Sequence, residues 1–233
     1  MKALVLAGGR GTRLGSRTAD IPKPMLPVGG RPFLEYLLDR LVDGGAEQLI
    51  LALHHRAEAV TAHFGDRYRG VPVRYEIEPA PLGTGGAIAY ALRGQLADPI
   101  LVVNGDSLLA IDYGALLRWY ARDPVRLALV VRRVQDAGRF GSVLLEGESV
   151  LGFAEKGGQG PASINAGTYI LQPAVFSDFG LSGQFSIETD LLQQHCATLR
   201  PRAYVADGYF IDIGVPEDLA RAQRELPGLP PGR

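Results

Sequence analysis

The sequence predicts an α/β fold in which a mixed, mostly parallel central sheet is flanked by helices. Through the first half of the chain, short apolar runs alternate with amphipathic helical patterns, as in parallel strands joined by crossover helices. The opening run, residues 2–7, ends at Gly8-Gly9, and a loop then leads to the first helix. A chain of 233 residues is also long enough to bury one core without disulfides or metals.

Each element of the first half follows from the spacing of its apolar residues. Apolar residues at helical spacing, such as those from Phe33 to Val42, predict a helix, whereas short uninterrupted apolar runs predict buried strands. In chain order, the pattern predicts strands at 2–7, 48–53, 71–77 and 99–103, separated by helices at 33–42, 56–64 and 84–92.

The second half has a mixed pattern without a repeating strand and helix unit. The spacing predicts a helix at 113–121, strands at 126–133, 141–145, 149–155 and 165–171, a helix at 186–196 and, after residues 209–214, a last helix. We expect a single domain over residues 1–226. The segment 227–233 is rich in proline and glycine and is predicted to be a flexible tail.

The composition is that of an ordinary soluble globular protein. Hydrophobic residues make up 46% of the chain and charged residues 21%, and the net charge is −1. This balance gives no reason to expect binding to nucleic acid or to a membrane, so any anion site has to be local. Cys196 is the only cysteine, which excludes an internal disulfide and a cysteine-rich metal site. Because no apolar run approaches a signal peptide or the ~18 residues of a membrane span, we expect a cytoplasmic protein.

The first group of candidate functional residues is the glycine loop after the first strand, with the basic residues that follow it. The loop reads Leu6-Ala7-Gly8-Gly9-Arg10-Gly11-Thr12-Arg13-Leu14 and is followed by Pro22-Lys23-Pro24. Glycines let main-chain N–H groups approach phosphates, and Arg13 and Lys23 add positive charge. Lys23 is one of only three lysines among 24 basic residues, which indicates a position that needs a compact ammonium. The spacing fits neither the P-loop nor the dinucleotide-binding pattern.

Two aspartates at the ends of apolar runs form the second group. Asp106 follows Val103-Asn104-Gly105, and Asp212 lies in Ile211-Asp212-Ile213-Gly214. Magnesium prefers one or two protein carboxylates together with substrate phosphates, so two aspartates at one edge of the sheet would suit it. Alternatively, Asp212 caps the last helix or turns the chain.

Two further segments carry weaker signals. A second glycine loop runs from Glu78 through Gly83-Thr84-Gly85-Gly86, and it could form a phosphate cradle or a pocket for a base. In the second half, Glu155-Lys156 and Asn165 bring a carboxylate, an ammonium and an amide that could bind sugar hydroxyls and a sugar phosphate. On the other interpretation, Glu155-Lys156 is a solvated charge pair.

Together these motifs resemble the nucleotidyltransferase family that makes activated sugars. The block Gly-Gly-x-Gly-Thr-Arg-Leu ending in Pro-Lys-Pro is highly specific for that family, and the similarity runs from Lys2 to about Arg221. Within the family, residues 81–88, 103–106 and 209–218 look most like the D-glycero-α-D-manno-heptose 1-phosphate guanylyltransferases. The usual Glu-Lys-Pro is Glu155-Lys156-Gly157 here, which loosens the turn that follows.

The resemblance implies a Rossmann-like nucleotidyltransferase fold with a small sugar-binding lobe in its second half. The nucleotide-binding part would be about 1–110 and the sugar-phosphate-binding part about 111–226. It implies catalytic roles for Arg13, Lys23, Asp106 and Asp212, with Mg2+ held by Asp106 and Asp212. It implies nucleotide binding by Leu6, Ala7, Gly8, Gly9, Gly11, Thr12, Glu78, Gly83 and Thr84, and sugar-phosphate binding by Gly141, Glu155, Lys156 and Asn165. A homo-oligomer is expected.

One difference from the thymidine-binding relatives indicates which nucleotide base this chain binds. Relatives that bind thymidine have glutamine five residues before the glycine that matches Gly83, and this chain has Glu78 there. A carboxylate accepts two hydrogen bonds from guanine but repels the carbonyl oxygens of uracil or thymine. The position therefore favours GTP, although Glu76 or a main-chain group could read the base instead.

The function implied is transfer of GMP from GTP to D-glycero-α-D-manno-heptose 1-phosphate, giving GDP-heptose and pyrophosphate. A mannose-1-phosphate guanylyltransferase, or a uridylyltransferase that uses another sugar such as N-acetylmuramate 1-phosphate, is an alternative. A regulatory subunit that senses sugar nucleotides is a non-enzyme alternative, but such a subunit is expected to lose Lys23 or a metal aspartate. A dinucleotide oxidoreductase is excluded because the first glycine loop has no acidic ribose-binding residue at the expected distance.

Overall fold

The computed structural model describes residues 1–9, 11–18, 21–95, 98–138, 140–154 and 160–230. The chain divides into two compact units, each assembled from separated segments. The first comprises Met1–Pro81, Val103–Gly114 and Tyr209–Arg233, and the second comprises Leu82–Val102 and Ala115–Gly208. The division near residue 110 into a nucleotide-binding and a sugar-phosphate-binding part, which the resemblance implies, stays a prediction.

The predicted helices and strands occur in the predicted order with small shifts at their ends, and several short elements that were not predicted lie between them. The strands are β1 Lys2–Leu6, β2 Pro27–Val28, β3 Arg31–Pro32, β4 Gln48–Leu53, β5 Arg67–Tyr68, β6 Val71–Ile77, β7 Ile100–Asn104, β8 Ser107–Leu109, β9 Leu127–Val134, β10 Ser142–Glu146, β11 Ser149–Ala154, β12 Ala162–Leu171, β13 Arg202–Ala206 and β14 Phe210–Asp212. The α-helices are α1 Phe33–Asp43, α2 Ala57–Phe64, α3 Gly83–Ala91, α4 Tyr113–Arg122, α5 Val175–Asp178, α6 Gln194–Leu199 and α7 Pro216–Glu225. No helix in the described part of the chain is both long and apolar enough to cross a membrane.

Parallel strands form the sheet of the first unit. β1 pairs with β4 from Lys2↔Gln48 onward, and β4 pairs with β6 from Leu49↔Val73 onward. β1 and β4 are nearly continuous apolar runs, as expected where helices cover a parallel sheet on both faces, whereas β6 carries Arg74 and Glu76. The crossover helix α1 buries Phe33, Leu34, Leu37, Leu38 and Leu41. Each such side chain contributes about 1.5–3 kcal/mol when it leaves water.

A short antiparallel ladder in the first unit joins the two segments that carry the candidate aspartates. β14 pairs with β8, with Asp212 opposite Ser107. Directly before β8, the main-chain O of Asp106 accepts a hydrogen bond from the N–H of Ile213 at 3.0 Å. The ladder therefore sets Asp106 and Asp212 side by side.

The segment after α7 packs on the first unit up to Pro230. A 3-10 helix covers Leu226–Gly228, and Leu226 is 1% exposed. Leu226 belongs to an apolar cluster that includes Leu14 and Ile211, and Leu229 packs against this cluster. The buried guanidinium of Arg40 donates from Nη2 to the main-chain O of Pro230 at 2.6 Å. Residues 227–230 thus have defined contacts, in contrast to the flexible tail expected at 227–233. The proline and glycine content did not reveal the partners that hold this segment.

The second unit is built on a mostly antiparallel sheet. β9 pairs antiparallel with β12 and parallel with β13, while β11 pairs antiparallel with β10 and β13. β13 was not predicted, because its apolar run, residues 203–206, is only four residues long and follows Arg202. The helix expected at 186–196 is a π-helix, Ile187–Gln193, continued by α6. Apolar periodicity does not distinguish these two kinds of helix.

Candidate active site

Gly8, in the loop after β1, packs directly against two neighbouring segments of the first unit. A side chain at Gly8 would begin 3.0 Å from the main-chain N of His54 and 3.3 Å from Glu78 Oε1. Only glycine fits without a shift of His54, whose backbone cannot move independently of β4. The glycine loop, His54 and the Glu78 carboxylate are therefore neighbours.

Gly11 shapes the second part of the same loop. Its φ of +64° is in the left-handed region that favours glycine, and a side chain there would begin 3.0 Å from both Lys23 Cβ and Thr18 Cγ2. The Thr18 hydroxyl is 3.1 Å from the main-chain O of Gly11 and 3.2 Å from that of Gly15. These contacts hold the loop against the segment that carries Lys23.

Two prolines set the main chain around Lys23. Pro22 precedes the 3-10 turn Lys23–Met25, whose first hydrogen bond runs from the N–H of Met25 to the main-chain O of Pro22 at 2.8 Å. The Lys23 side chain is 5% exposed, so its ammonium is directed into the unit. The Pro-Lys-Pro motif thus fixes the main chain that directs one buried cation into the unit.

The ammonium of Lys23 lies between the two aspartates. Its Nζ is 2.6 Å from Asp106 Oδ2 and 3.5 Å from Asp212 Oδ1. Two carboxylates and one ammonium leave this cluster one negative charge in excess. The two aspartates, expected from the sequence to converge, thus lie near each other in the first unit, and Lys23, which was not expected to join them, lies between them.

Asp212 has two roles in this cluster. Its Oδ1 also accepts a hydrogen bond from the N–H of Gly214 at 2.7 Å, which turns the chain before α7. Burial, and then repulsion from Asp106, raises the pKa of Asp212 above its usual value, while Lys23 and the Gly214 N–H act in the opposite direction. The turn considered as an alternative in the sequence analysis thus exists beside the ammonium contact. The cap of α7 is Val215, without a side-chain hydrogen bond.

The carboxylates suit a divalent cation that is completed by a substrate. Asp106 and Asp212 offer hard oxygen ligands next to each other, and their mutual repulsion favours a cation between them. Among the described residues, no group of three or more His, Cys, Asp or Glu side chains lies together as a complete metal site. The donor set therefore fits magnesium in its usual mode, with the remaining ligands from phosphates and water. Arg13 is close by, with Nη2 3.4 Å from where a side chain at Gly214 would begin.

Gly105 joins the end of β1 to the aspartate cluster. Its N–H donates to the main-chain O of Leu6 at 2.9 Å, and a side chain on Gly105 would begin 2.8 Å from that same oxygen. Glycine is required by this close approach. Leu6 and Ala7, predicted to contact the nucleotide, are thereby next to the segment that carries Asp106.

Glu78 is buried, at 7% exposure, directly after β6. Its N–H donates to the main-chain O of Leu53 at 2.8 Å, and its main-chain O is 3.0 Å from His54 Nδ1. Because a carbonyl oxygen only accepts, His54 Nδ1 carries the proton of this hydrogen bond. His54 therefore holds the main chain of Glu78 in place.

The second glycine loop packs against residues 183–187 inside the second unit. Side chains at Gly83, Gly85 and Gly86 would begin 2.5 Å from Phe185 O, 2.2 Å from Phe185 Cε2 and 2.3 Å from Gly183 O. The N–H groups of Gly85 and Gly86 both donate to the main-chain O of Phe185, at 3.0 and 3.2 Å. The glycines are thus explained by close packing, which the sequence analysis did not anticipate.

Thr84 has its hydroxyl engaged within the second unit. It donates to Glu188 Oε2 at 2.8 Å and accepts from the N–H of Ile187 at 3.0 Å. Nucleotide binding by Gly83 and Thr84 stays a prediction.

Asn165, predicted to bind the sugar phosphate, begins a chain of hydrogen bonds that the sequence analysis missed. Its Nδ2 donates to the Tyr169 hydroxyl at 2.8 Å, and that hydroxyl donates to Glu188 Oε1 at 3.1 Å. Gly141 precedes Ser142, which pairs with Ile164 next to Asn165. The only signal for Glu188 was Ser186 at the start of a predicted helix, a typical N-cap.

Some of the predicted site residues lie in parts of the chain that the structure does not describe. Glu155, Lys156 and the side chain of Thr12 lie outside the described residues. Within the first unit, the structure brings together Leu6, Ala7, Gly8, Gly11, Arg13, Lys23, Glu78, Asp106 and Asp212. Gly9 is exposed in the same loop.

Comparison with known sequences agrees with these motifs. A family model described as nucleotidyl transferase matches residues 2–227. The D-glycero-α-D-manno-heptose 1-phosphate guanylyltransferase of Aneurinibacillus thermoaerophilus is 37% identical over 97% of this chain and 98% of its own length. The Campylobacter jejuni protein of the same name is 40% identical over 94% of this chain and 96% of its own length. The family resemblance predicted from the motifs is thereby confirmed.

Comparison with solved structures confirms the fold. HddC from Yersinia pseudotuberculosis, crystallised with GMP-PN, superposes with a TM-score of 0.84 at 37% identity and covers 96% of this chain and 98% of its own. A Bacillus anthracis protein, described as a putative glucose-1-phosphate thymidylyltransferase, superposes with a TM-score of 0.85 at 22% identity and covers 100% of this chain and 98% of its own. At that identity, the second match shows the fold alone.

Proposed function

Because the chain belongs to the nucleotidyl transferase family, we propose that it transfers GMP from GTP to D-glycero-α-D-manno-heptose 1-phosphate, giving GDP-heptose and pyrophosphate. The observation that carries the proposal is the Lys23 ammonium between Asp106 and Asp212, beside the glycine loop. The choice of sugar is supported by the two relatives named as heptose 1-phosphate guanylyltransferases. A heptose product would serve the synthesis of a capsule, a lipopolysaccharide or a surface layer.

The cofactor in this proposal is Mg2+, with Asp106 and Asp212 as its protein ligands. Two adjacent carboxylates and phosphate oxygens are a donor set that magnesium prefers. When bound, the ion would neutralise charge on the phosphates during transfer. The residues around it then determine where the triphosphate lies.

The chain's own groups act by binding and positioning. Main-chain N–H groups of the loop around Gly8, Gly9 and Gly11 approach the triphosphate, and Arg13 and Lys23 balance its charge. An oxygen of the sugar phosphate attacks the α-phosphorus in line, and pyrophosphate leaves. This oxygen is already an anion, so no general base is needed, and catalysis comes from positioning and charge.

Guanine recognition is assigned to Glu78. Its buried carboxylate next to Gly8 is an acceptor, and guanine presents two adjacent donors, N1–H and the 2-amino group. His54 supports this role by holding the main chain of Glu78. A pyrimidine base would instead bring a carbonyl oxygen against the carboxylate.

Sugar-phosphate binding is assigned to Gly141 and Asn165 together with Glu155 and Lys156. We also propose a cytoplasmic location and a homo-oligomer, as expected from the resemblance to the family. Sedimentation of the purified protein, with a mass above that of the 25.0 kDa chain, would support the oligomer.

The test is pyrophosphate release with magnesium, crossing GTP, UTP, dTTP, CTP and ATP with heptose, mannose, glucose and N-acetylmuramate 1-phosphates. Release with GTP and the heptose phosphate is the expected result. Release only with mannose 1-phosphate, or only with UTP, would replace the proposed substrate and keep the reaction. No release with any pair would contradict the proposal and favour a regulatory subunit.

A further inference from the structure

We propose that Glu188 is a positioning residue that, through the Tyr169 hydroxyl, fixes the side-chain amide of Asn165 so that it donates to the sugar phosphate. The inference rests on the proposed function, in which Asn165 binds that substrate. It adds two residues, Glu188 and Tyr169, that no motif assigned.

The three side chains form an ordered relay in the second unit. Glu188 Oε1 lies 3.1 Å from the Tyr169 hydroxyl, which lies 2.8 Å from Asn165 Nδ2. Asn165 Oδ1 accepts from the N–H of Gly167 at 3.0 Å. Tyr169 is 0% exposed, so its hydroxyl does not face solvent, and among the described side chains it contacts both Glu188 and Asn165.

The direction of each hydrogen bond follows from donor and acceptor chemistry. A carboxylate only accepts, so the single proton of the Tyr169 hydroxyl points to Glu188. The hydroxyl oxygen then accepts, and Asn165 must turn its NH2 group toward it. The Gly167 N–H imposes the same orientation because it needs an oxygen. Within the described part of the chain, Asn165 keeps a second Nδ2–H, a donor suited to a phosphate or hydroxyl oxygen.

Glu188 itself is held from several sides. Its Oε2 accepts from the hydroxyls of Thr84 at 2.8 Å and Ser186 at 3.0 Å. Its N–H donates to Ser186 Oγ at 3.2 Å, as at a capped helix start. A carboxylate in the first turn of a helix is also stabilised by the helix dipole. The π-helix thus begins with an anion whose two oxygens point in fixed directions.

Bracing of the helix alone does not account for all of these contacts. The bonds from Thr84 and Ser186 join the helix start to α3 and satisfy Glu188 Oε2. The bond from Tyr169 uses the other oxygen and leads away to β12, where it ends at Asn165. A bracing role would show in stability, whereas a positioning role would show in the KM for the sugar phosphate.

The experiment compares Tyr169→Phe and Glu188→Gln with wild type in steady-state kinetics, varying each substrate separately. Tyr169→Phe removes one hydroxyl and keeps the ring, so Asn165 loses one of the two contacts that fix its orientation while the fold is retained. We expect the KM for the sugar 1-phosphate to rise about tenfold, the effect of one hydrogen bond of ~1.4 kcal/mol, with the KM for GTP and kcat changed less than twofold. Tyr120→Phe is the matched control, because the Tyr120 hydroxyl donates to the main-chain O of Val125 at 2.7 Å in the same unit.

A double-mutant cycle tests whether the two residues act as one relay. Adding Tyr169→Phe to Glu188→Gln should change the sugar-phosphate KM less than twofold, because the relay is already interrupted. An unchanged KM in either single variant, or multiplied effects in the double variant, would overturn the inference while leaving the proposed function standing. If Tyr169→Phe does not fold, Glu188→Gln decides alone. If the wild-type protein released no pyrophosphate at all, this result would contradict the proposed function, and the inference that rests on it would fall as well.

Discussion

The ammonium of Lys23 lies 2.6 Å from Asp106 Oδ2, and both groups are presented by short turns rather than by helices or long strands. Lys23 is set by Pro22 on one side and by the close packing of Gly11 on the other. Asp106 follows Gly105, which is pressed against Leu6. The main chain around this pair is therefore rigid, as electrostatic catalysis requires.

Replacing either metal aspartate should abolish turnover. Asp106→Asn and Asp212→Asn keep the shape of the side chain but remove a charged ligand, so we expect kcat to fall by about three orders of magnitude or more, the upper range for one electrostatic group. Activity is measured as pyrophosphate release, and circular dichroism checks the fold. Asp123→Asn, which weakens only an exposed ion pair with Arg202, is the control. Full activity in either site variant would contradict the metal assignment.

Removing the buried ammonium should also stop the reaction. Lys23→Ala leaves Asp106 and Asp212 facing each other without a cation, and it removes positive charge from the triphosphate site. We expect kcat to fall by about 10²–10³, the effect of losing one preorganised donor. Lys2→Ala provides a comparison, since Lys2 is exposed at the start of β1. A kcat within tenfold of wild type would show that Lys23 is not part of the machinery.

Base selectivity should depend on Glu78. In Glu78→Gln, the amide offers guanine only one acceptor and accepts a pyrimidine more readily. We expect kcat/KM for GTP to fall by roughly 5- to 150-fold, the equivalent of about 1–3 kcal/mol, with a smaller loss or a gain for UTP. Glu76→Gln, which alters the neighbouring pair with Arg74, is run beside it. If only Glu76→Gln changes the preference for GTP over UTP, base recognition is assigned to Glu76 instead.

The tight packing of α3 predicts a strong effect on stability. The Cβ of Gly85→Ala would lie 2.2 Å from Phe185 Cε2 and 3.1 Å from the N of Ile187. Overpacking of this kind costs about 2 kcal/mol and lowers Tm by roughly 4–8 °C in a chain of this size. Gly152→Ala is the control, because its nearest contact is Leu144 Cδ1 at 3.9 Å. Equal Tm values for the two variants, measured by calorimetry, would show that the segment around Phe185 shifts to accommodate the added methyl group.

Residues 227–230 should contribute to stability. Ending the chain at Leu226 removes the acceptor of the buried Arg40 guanidinium and the packing of Leu229. An unsatisfied buried charged donor costs about 1–3 kcal/mol, so the free energy of unfolding in urea should fall by at least that amount. A chain that ends at Pro230 keeps these contacts and should match wild type. Identical unfolding of both truncated chains would restore the flexible tail that the sequence predicted.

The sequence by itself determined the order of most elements and singled out the residues that we propose to bind phosphate. The apolar spacing placed most elements within a few residues, because it reports local burial. The glycine loop and Pro-Lys-Pro were recognisable because glycine, proline and a rare lysine each meet a local main-chain or charge requirement. Asp106 and Asp212 were chosen for the chemistry that carboxylates at strand ends allow.

The tertiary structure decided which of these residues meet. The β8–β14 ladder brings Asp106 beside Asp212, and packing on Phe185 explains why the second loop needs its glycines. The relay from Glu188 through Tyr169 to Asn165 had no local signature, because each residue alone is ordinary for its helix or strand. Periodicity records whether a side chain is buried, whereas its partner depends on how distant segments pair. That pairing is a property of the whole fold.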